Sequence, residues 1–324
     1  MKRIGYLYEK IYSLENLELA YKNAIKGKNI YSKNKNTLLL NIQQELINYE
    51  YKVSKYSVFT IFDKKERTIY SLPLKDKIIQ HAILQVINPI FIKCFISQTY
   101  SCIPKRGIHK ALREVKKSLN NKDNIYVLKL DIKKYYPSIN IETLKIFLRK
   151  KFKDRKLLHL LDIILNSHNQ GIPIGNYISQ YFGNFYLTYF DHYLKETLRL
   201  KYYFRYMDDM VIIHNCKKYL HQIKNYIEYY LNNILNLQLS NWQIFLIKTR
   251  GIDFVGYVIY PTHIQLRKQI KQNFKNMLQK YPNDKSISSY KGWIIHCNGI
   301  NLWQKYITHG NIKIDKNASN TILQ

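Results

Sequence analysis

The chain has 324 residues, enough for a substantial core and more than one subdomain, and its 46% of hydrophobic residues suits a globular fold. The 52 Lys and Arg against 22 Asp and Glu leave a formal net charge of +30, spread along the chain rather than gathered in a tail, which points to a polyanionic partner and a broad nucleic-acid channel. A secretory signal, a membrane span, a disulfide framework and a zinc site are all disfavoured. MKRIGYLYEKIYS lacks a continuous apolar run, the apolar stretch from Ile78 is broken by Gln80, His81, Gln85, Asn88, Pro89 and Lys93, and the four cysteines show no CxxC spacing.

Ser13 is an N-cap for a first helix, in which Leu14, Leu17, Ala20, Tyr21 and Ala24 recur at helical spacing before Gly27. NTLLLNIQQELINYEY predicts a second helix. The alternating VFTIF and the basic DKKERTIYSLPLKDK then predict a β-hairpin that carries Lys64, Lys65 and Arg67 and leads into an amphipathic helix over 76–93.

In NIYVLKLDIKKYYPSI, Leu128, Leu130 and Ile132 alternate with Lys129, Asp131 and Lys133, so a strand carries Asp131 away from the core face. Taken alone, Asp131 reads as an ordinary strand-end aspartate capping a turn. YFRYMDDMVIIH places Asp208 and Asp209 between two runs rich in aromatic and β-branched residues, which predicts a hairpin with MDDM as its tight turn. An acidic pair at a turn is common and weak evidence by itself. The combination carries more: three carboxylates converging on one spot repel one another unless cations lie between them, and Mg²⁺ favours a few carboxylates together with phosphate oxygens. Farther on, IKQNFKNMLQKYP predicts a basic amphipathic helix, and Tyr290, Trp293 and Trp303 read as core aromatics rather than as rings stacking in a duplex groove. His296 beside Cys297 does not read as a metal site.

LKLDIKKYYPSI, GIPIGNYISQYFGNFYL and YFRYMDD, in that order, resemble the palm motifs of reverse transcriptases, with the YxDD signature at Tyr206, Met207, Asp208 and Asp209. RTIYSLPLKDKIIQHAI and FISQTYSCIPKRGIHKAL resemble the fingers motifs, and GIDFVGYVIYPTHIQLRK resembles the palm entering the thumb. Within that superfamily the chain is similar to the reverse transcriptases of diversity-generating retroelements, bacterial and phage enzymes whose middle palm motif reads IGxxxSQ where most relatives have QGxxxSP.

The resemblance implies an α+β right-hand polymerase fold: N-terminal helices and fingers over 1–123, a palm over 124–262 whose antiparallel sheet bears the YxDD hairpin, and a short helical thumb over 263–324. It implies catalysis by Asp131, Asp208 and Asp209, with these three and Ile132 holding two Mg²⁺ ions, for which Mn²⁺ substitutes. For the incoming dNTP it implies Arg67 and one of Lys64 or Lys65 on the triphosphate, Tyr136 as the aromatic gate against a ribose 2′-hydroxyl, and Ile174, Gly175 and Gln180 against the nascent base pair. Ile174 stands where the wider family has glutamine, and loss of that polar contact goes with misincorporation opposite template adenine. Asn241 and Trp242 stand near the place where many relatives carry a lysine, so that either Lys248 or no residue substitutes, and Ile103 stands where relatives often have a basic residue, leaving Lys105 and Arg106 as weaker candidates outside the catalytic set. The implied partners are template RNA, the RNA–cDNA duplex, dNTPs and a small basic oligomeric accessory protein, in the cytoplasm of a bacterial host and without a membrane. No RNase H, integrase or endonuclease region is expected in the remaining residues. The alternatives are a host-defence or intron-related reverse transcriptase, and a non-catalytic RNA-binding scaffold.

Overall fold

The structure is a computed structural model that describes residues 3–28, 34–63, 65–280 and 282–308; Lys64, at the tip of the expected hairpin, lies outside them. In chain order the elements are α1 (Tyr8–Tyr12), α2 (Leu14–Ile25), α3 (Lys35–Ile47), β1 (Ser57–Asp63), β2 (Lys65–Ser71), α4 (Leu74–Ile92), α5 (Ile108–Ser118), β3 (Tyr126–Ile132) and α6 (Tyr135–Ser138). There follow α7 (Ile141–Lys151), α8 (Arg155–Leu165), α9 (Tyr177–Tyr186), α10 (Thr188–His192), β4 (Tyr202–Tyr206), β5 (Asp209–His214), α11 (Lys217–Ile234) and β6 (Leu239–Leu246). The described chain ends with α12 (Ile247–Arg250), β7 (Ile252–Phe254), β8 (Tyr257–Ile259), β9 (Ile264–Leu266), α13 (Lys268–Lys280), α14 (Asp284–Ile294) and α15 (Ile300–Trp303). It is a mixed α/β fold with antiparallel pairing, and it divides into two compact units. The first takes residues 1–97, 132–199 and 226–240, and the second takes residues 98–131, 200–225 and 241–324.

The first unit is built around α4. Ile78, Ile79, Ala82, Ile83, Ile87 and Phe91 are all fully buried, so the apolar face of this amphipathic helix forms the core, while Lys77, His81, Gln85 and Asn88 are only half-buried. Gln80, one of the polar interruptions of the apolar stretch, is itself buried, and its side-chain oxygen accepts from the Ile178 backbone at 3.4 Å. Phe91 stacks on Phe185 at 4.5 Å and tilts against Phe152 at 5.9 Å. In α2, Ser13 caps the helix by accepting from the Asn16 N–H at 3.3 Å, and Leu17, Ala20, Tyr21 and Ala24 form the buried stripe. Leu14, counted in the same stripe by spacing, is 42% exposed at the helix start.

The β1–β2 hairpin pairs in register from Ser57↔Ser71 to Asp63↔Lys65. Its consecutive apolar residues fall on both faces of a two-stranded ribbon, and Val58, Phe59, Ile61 and Phe62 all stay exposed.

The second unit holds a four-stranded sheet in the order β4-β5-β3-β6 and a three-stranded sheet β7-β8-β9. Their apolar faces share one core with α5 and the C-terminal helices, including Tyr100, Val127, Phe204, Val211, Phe254, Tyr257 and Phe274. Phe274 lies 5.0 Å from Tyr290 and 6.3 Å from Trp303, and Trp293 lies 5.3 Å from Tyr257, so the three aromatics of this region belong to that core as expected. Among the described residues no helix is long and apolar enough to cross a membrane.

Asp154 ties the N-terminal segment into the first unit. Its Oδ2 accepts from the backbone N–H groups of Leu7 at 2.7 Å and Tyr8 at 3.0 Å, while Oδ1 accepts from Leu157 at 3.2 Å and so caps α8. Burial acts to raise its pKa, but the backbone donors together outweigh burial and hold the carboxyl below the usual range. A depressed folded-state pKa adds stability that is present above the unfolded value, near 4, and disappears as pH falls through the folded value. Asp154→Ala is therefore expected to destabilise the protein by about 1–3 kcal/mol at pH 7 in urea titrations, with the difference from wild type shrinking as pH is lowered below about 4.

Candidate active site

Three strands of the second unit bring the predicted acids together. β3 runs antiparallel to β5 with Leu130 opposite Met210, and β4 pairs with β5 up to Tyr206↔Asp209. The turn is therefore only Met207 and Asp208, and Asp209 is already the first residue of β5 rather than part of a longer MDDM turn. A two-residue hairpin needs a positive φ to match strand twist, and Met207 supplies it at φ 54 despite its side chain. Arg205, fully buried within β4, fastens the turn by donating from Nη1 to the Met207 carbonyl at 3.0 Å. The sequence offered a signal for this residue, an arginine amid apolar strand neighbours, but not its role.

Asp131, near the end of β3, and Asp208, on the turn, are both half-buried. Asp209 has a side chain 26% exposed, yet its Oδ1 is sealed from solvent, and its Oδ2 accepts from the Lys129 ammonium at 3.3 Å. Burial raises the Asp209 pKa to about 6; Lys129 opposes the rise, while the charges of Asp131 and Asp208 add to it. The Lys129 ammonium lies 3.2 Å from Asp209 Oδ1 and also donates to the Asp253 backbone carbonyl of β7, and the Asp253 carboxylate in turn accepts from Arg267 Nε at 2.7 Å. Lys129 was visible in the sequence only as the polar partner in an alternating strand. It shares a face of β3 with Asp131, which makes it the resident counter-charge of the cluster.

Among the described residues no group of three His, Cys, Asp or Glu side chains forms a ready metal cage. The donor set still suits a hard cation. Asp131 and Asp208 offer carboxylate oxygens, Asp209 Oδ1 is a sealed acceptor, and Mg²⁺ typically draws its other ligands from phosphate and water.

The remaining predicted residues lie in the first unit, apart from Lys64. Arg67 is exposed on β2 opposite Ile61, and Lys65 opens the same strand. Tyr135 is the core tyrosine of its pair, donating from its hydroxyl to the Gly183 carbonyl at 2.5 Å, whereas Tyr136 is half-buried with its ring 5.7 Å from that of Tyr135. The Tyr136 carbonyl accepts from the Ile172 N–H at 3.0 Å. Ile174 is half-exposed and its carbonyl accepts from the Tyr70 N–H at 2.7 Å. Gly175 has φ +112, and a Cβ there would come within 2.7 Å of the Tyr70 carbonyl, so no other residue fits without moving β2. Helix α9 begins at Tyr177, placing Ser179 buried and Gln180 exposed in its first turn.

Beside Asp131 and Lys129 a cleft of about 370 Å³ opens, walled by Asn241, Trp242, Gln243 and Arg250. Lys224 of α11 sits 4.9 Å over the Trp242 ring.

Residues 53–259 match the model of the family described as reverse transcriptase (RNA-dependent DNA polymerase). Protein YkfC of Escherichia coli (strain K12) is 29% identical over 136 residues, which span 38% of this chain and 36% of YkfC. Among solved structures, telomerase from Candida albicans in complex with a TWJ fragment of telomeric RNA is similar with a TM-score of 0.52 and 11% identity, over 72% of this chain and 51% of that one. Apo telomerase from Candida tropicalis is similar with a TM-score of 0.52 and 13% identity, over 82% and 57% of the two chains. The chain thus spans about half the length of these telomerases or less of the curated relative, and at such identities the structural likeness concerns the fold. The family match, in contrast, covers well over half of the chain and includes all three aspartates, and the protein belongs to the reverse transcriptase family.

Proposed function

We propose that the protein is an RNA-directed DNA polymerase that copies a template RNA into cDNA, with fingers over residues 1–123, a palm over 124–262 and a thumb over 263–324. The observation that carries the reading is the convergence of Asp131, Asp208 and Asp209, with Asp209 Oδ1 sealed from solvent beside the Lys129 ammonium. Divalent cations, Mg²⁺ or Mn²⁺, bound by these carboxylates beside Ile132 would supply the charge stabilisation that in-line phosphoryl transfer requires. Arg67, with Lys64 or Lys65, binds the triphosphate as its charge builds up, a task suited to a bidentate guanidinium. Tyr136 closes the space that a ribose 2′-hydroxyl would fill. Gly175 lets the backbone approach the nascent pair closely, and Gln180 lines the helix beneath it. The net charge of +30 serves the template RNA and the RNA–cDNA duplex.

The subtype we infer is that of a diversity-generating retroelement, in which adenine-directed errors are the product and a small basic accessory protein helps hold the RNA. Ile174 and the IGxxxSQ motif support this reading, because an apolar contact discriminates bases less than a satisfied hydrogen bond does.

Asp208→Asn is expected to lower dNTP incorporation on a primed RNA template by roughly a hundredfold or more while leaving RNA affinity nearly unchanged, since phosphate contacts provide most of the binding. Substantial residual synthesis in Mg²⁺ removes the metal role from Asp208.

Tyr136→Val is expected to improve ribonucleotide use by about ten- to a hundredfold with a smaller effect on dNTPs. Unchanged discrimination in steady-state kinetics returns Tyr136 to a packing role.

For the subtype, cDNA made from a defined RNA is sequenced and errors are counted by template base. Wild type should err chiefly opposite adenine, and Ile174→Gln should cut those errors by about tenfold if one hydrogen bond is regained. A low spectrum indifferent to template base overturns the subtype and leaves the polymerase standing.

A further inference from the structure

Lys129 reaches the carboxylate cluster along a diagonal of the sheet. In the β3–β5 pairing it stands opposite Val211, and Leu130 stands opposite Met210. Residues two apart on a strand share a face, so the diagonal neighbour of Lys129 on β5 is Asp209, close enough for a long side chain. The ammonium lies 3.2 Å from Asp209 Oδ1 and 3.3 Å from Oδ2, and it also donates to the Asp253 carbonyl of β7.

Three oxygens, two from one carboxylate and one from a main-chain carbonyl, thus gather around a single cation, with the charges of Asp131 and Asp208 beside them. Carboxylate and carbonyl oxygens are the donors that a hard divalent ion takes, so the ammonium and such an ion are rivals for Asp209. They differ in one respect. The ion exchanges with solvent, whereas the lysine is fixed to β3 and can only swing. Space for that swing lies in the cleft of about 370 Å³ beside Asp131, which Lys129 lines together with Asn241, Gln243 and Asp253. On that side the Asp253 carbonyl remains an acceptor for the ammonium, while the Asp253 carboxylate is already held by Arg267 Nε at 2.7 Å.

We propose that Lys129 is a positioning residue that acts as a tethered, exchangeable counter-cation: it neutralises Asp209 when no divalent ion is bound, and yields that carboxylate toward Asp253 when one binds. The cluster then never faces the mutual repulsion of three bare carboxylates, and its affinity for the ion is kept down by the rival it carries. This inference rests on the carboxylates being the cation site of the polymerase reading above. An ion pair that only props the strand ends predicts the opposite sign, since its loss would loosen the site and weaken the ion.

The test measures Mn²⁺ binding to the full chain at pH 8 by electron paramagnetic resonance of the free ion, without nucleotide or RNA. Lys129→Gln keeps a donor for the Asp253 carbonyl and removes the charge. It should bind Mn²⁺ more tightly than wild type by roughly fivefold or more, the effect of deleting one unit charge a few ångströms away even at the dielectric of water. Lys129→Arg, which keeps the charge, should stay close to wild type. In thermal melting with EDTA, Lys129→Gln should unfold at a lower temperature than wild type, and saturating Mn²⁺ should narrow that gap because the ion replaces the missing charge. Equal or weaker Mn²⁺ binding by Lys129→Gln, or a melting gap that Mn²⁺ leaves unchanged, overturns the proposal. So does a Lys129→Gln protein that folds neither with nor without Mn²⁺, because the lysine is then a requirement of the fold. Asp208→Asn separates the two readings. If it weakens Mn²⁺ while Lys129→Gln fails to tighten it, the cation site stands and the role of Lys129 falls; if it binds Mn²⁺ as wild type does, the cation site itself falls.

Discussion

Three carboxylates on neighbouring strand ends impose the constraint around which the second unit is organised. Without a counter-charge, the antiparallel pairing that sets Leu130 opposite Met210 and Tyr206 opposite Asp209 would force like charges together in a half-buried place. Lys129 answers that repulsion from within β3 itself. Its ammonium meets Asp209 and the Asp253 carbonyl together, so the YxDD hairpin, β3 and β7 share one cation, and Arg267 extends the chain of charges to the segment entering α13. Arg205 does the corresponding task from below, holding the strained Met207 turn from inside the core. Because a cation withdrawn from water and left without its partners is costly, the buried Arg205 and the half-buried Lys129 make the local geometry cooperative rather than adjustable.

In the first unit the geometry is set by main-chain atoms instead. The Tyr136 carbonyl holds the Ile172 N–H, the Ile174 carbonyl holds the Tyr70 N–H, and Gly175 lets the two segments approach at a distance no Cβ tolerates. The end of β2, the turn before α9 and the segment after β3 are thereby stitched into one frame. Such a frame is bonded through the main chain at Ile174 and does not depend on the side chain there.

What was legible in the sequence was whatever short-range physics decides. Ser13 announced α2, the alternation around Asp131 announced β3, and the runs flanking Asp208 announced a hairpin, each through a local rule of capping or period. The three acids were legible as a group because strands end where their side chains matter. Long-range choices were not legible. Nothing local tells that Leu14 falls outside the stripe it matches, that Asp76 and Gln80 of α4 are buried, or that the apolar residues of β1 remain exposed. The same holds for Lys129, whose partners lie on other strands.

The two units are interleaved along the chain, each drawn from three separate stretches. A ribosome delivers residues from the N-terminus, so α1 to α4 emerge early and can pack on one another, yet the first unit waits for residues 226–240, where the Leu235 carbonyl receives the Tyr186 hydroxyl at 2.6 Å. The second unit likewise begins before residue 131, resumes over 200–225 and is completed only by residues after 240. Neither can finish during synthesis until almost three quarters of these residues have been made, leaving long-range pairing and its slow loop closure to the last. A single backbone cut, wherever it falls within the first 240 residues, yields no fragment that contains both units whole, so a split version of this protein must reassemble from both pieces rather than work from one.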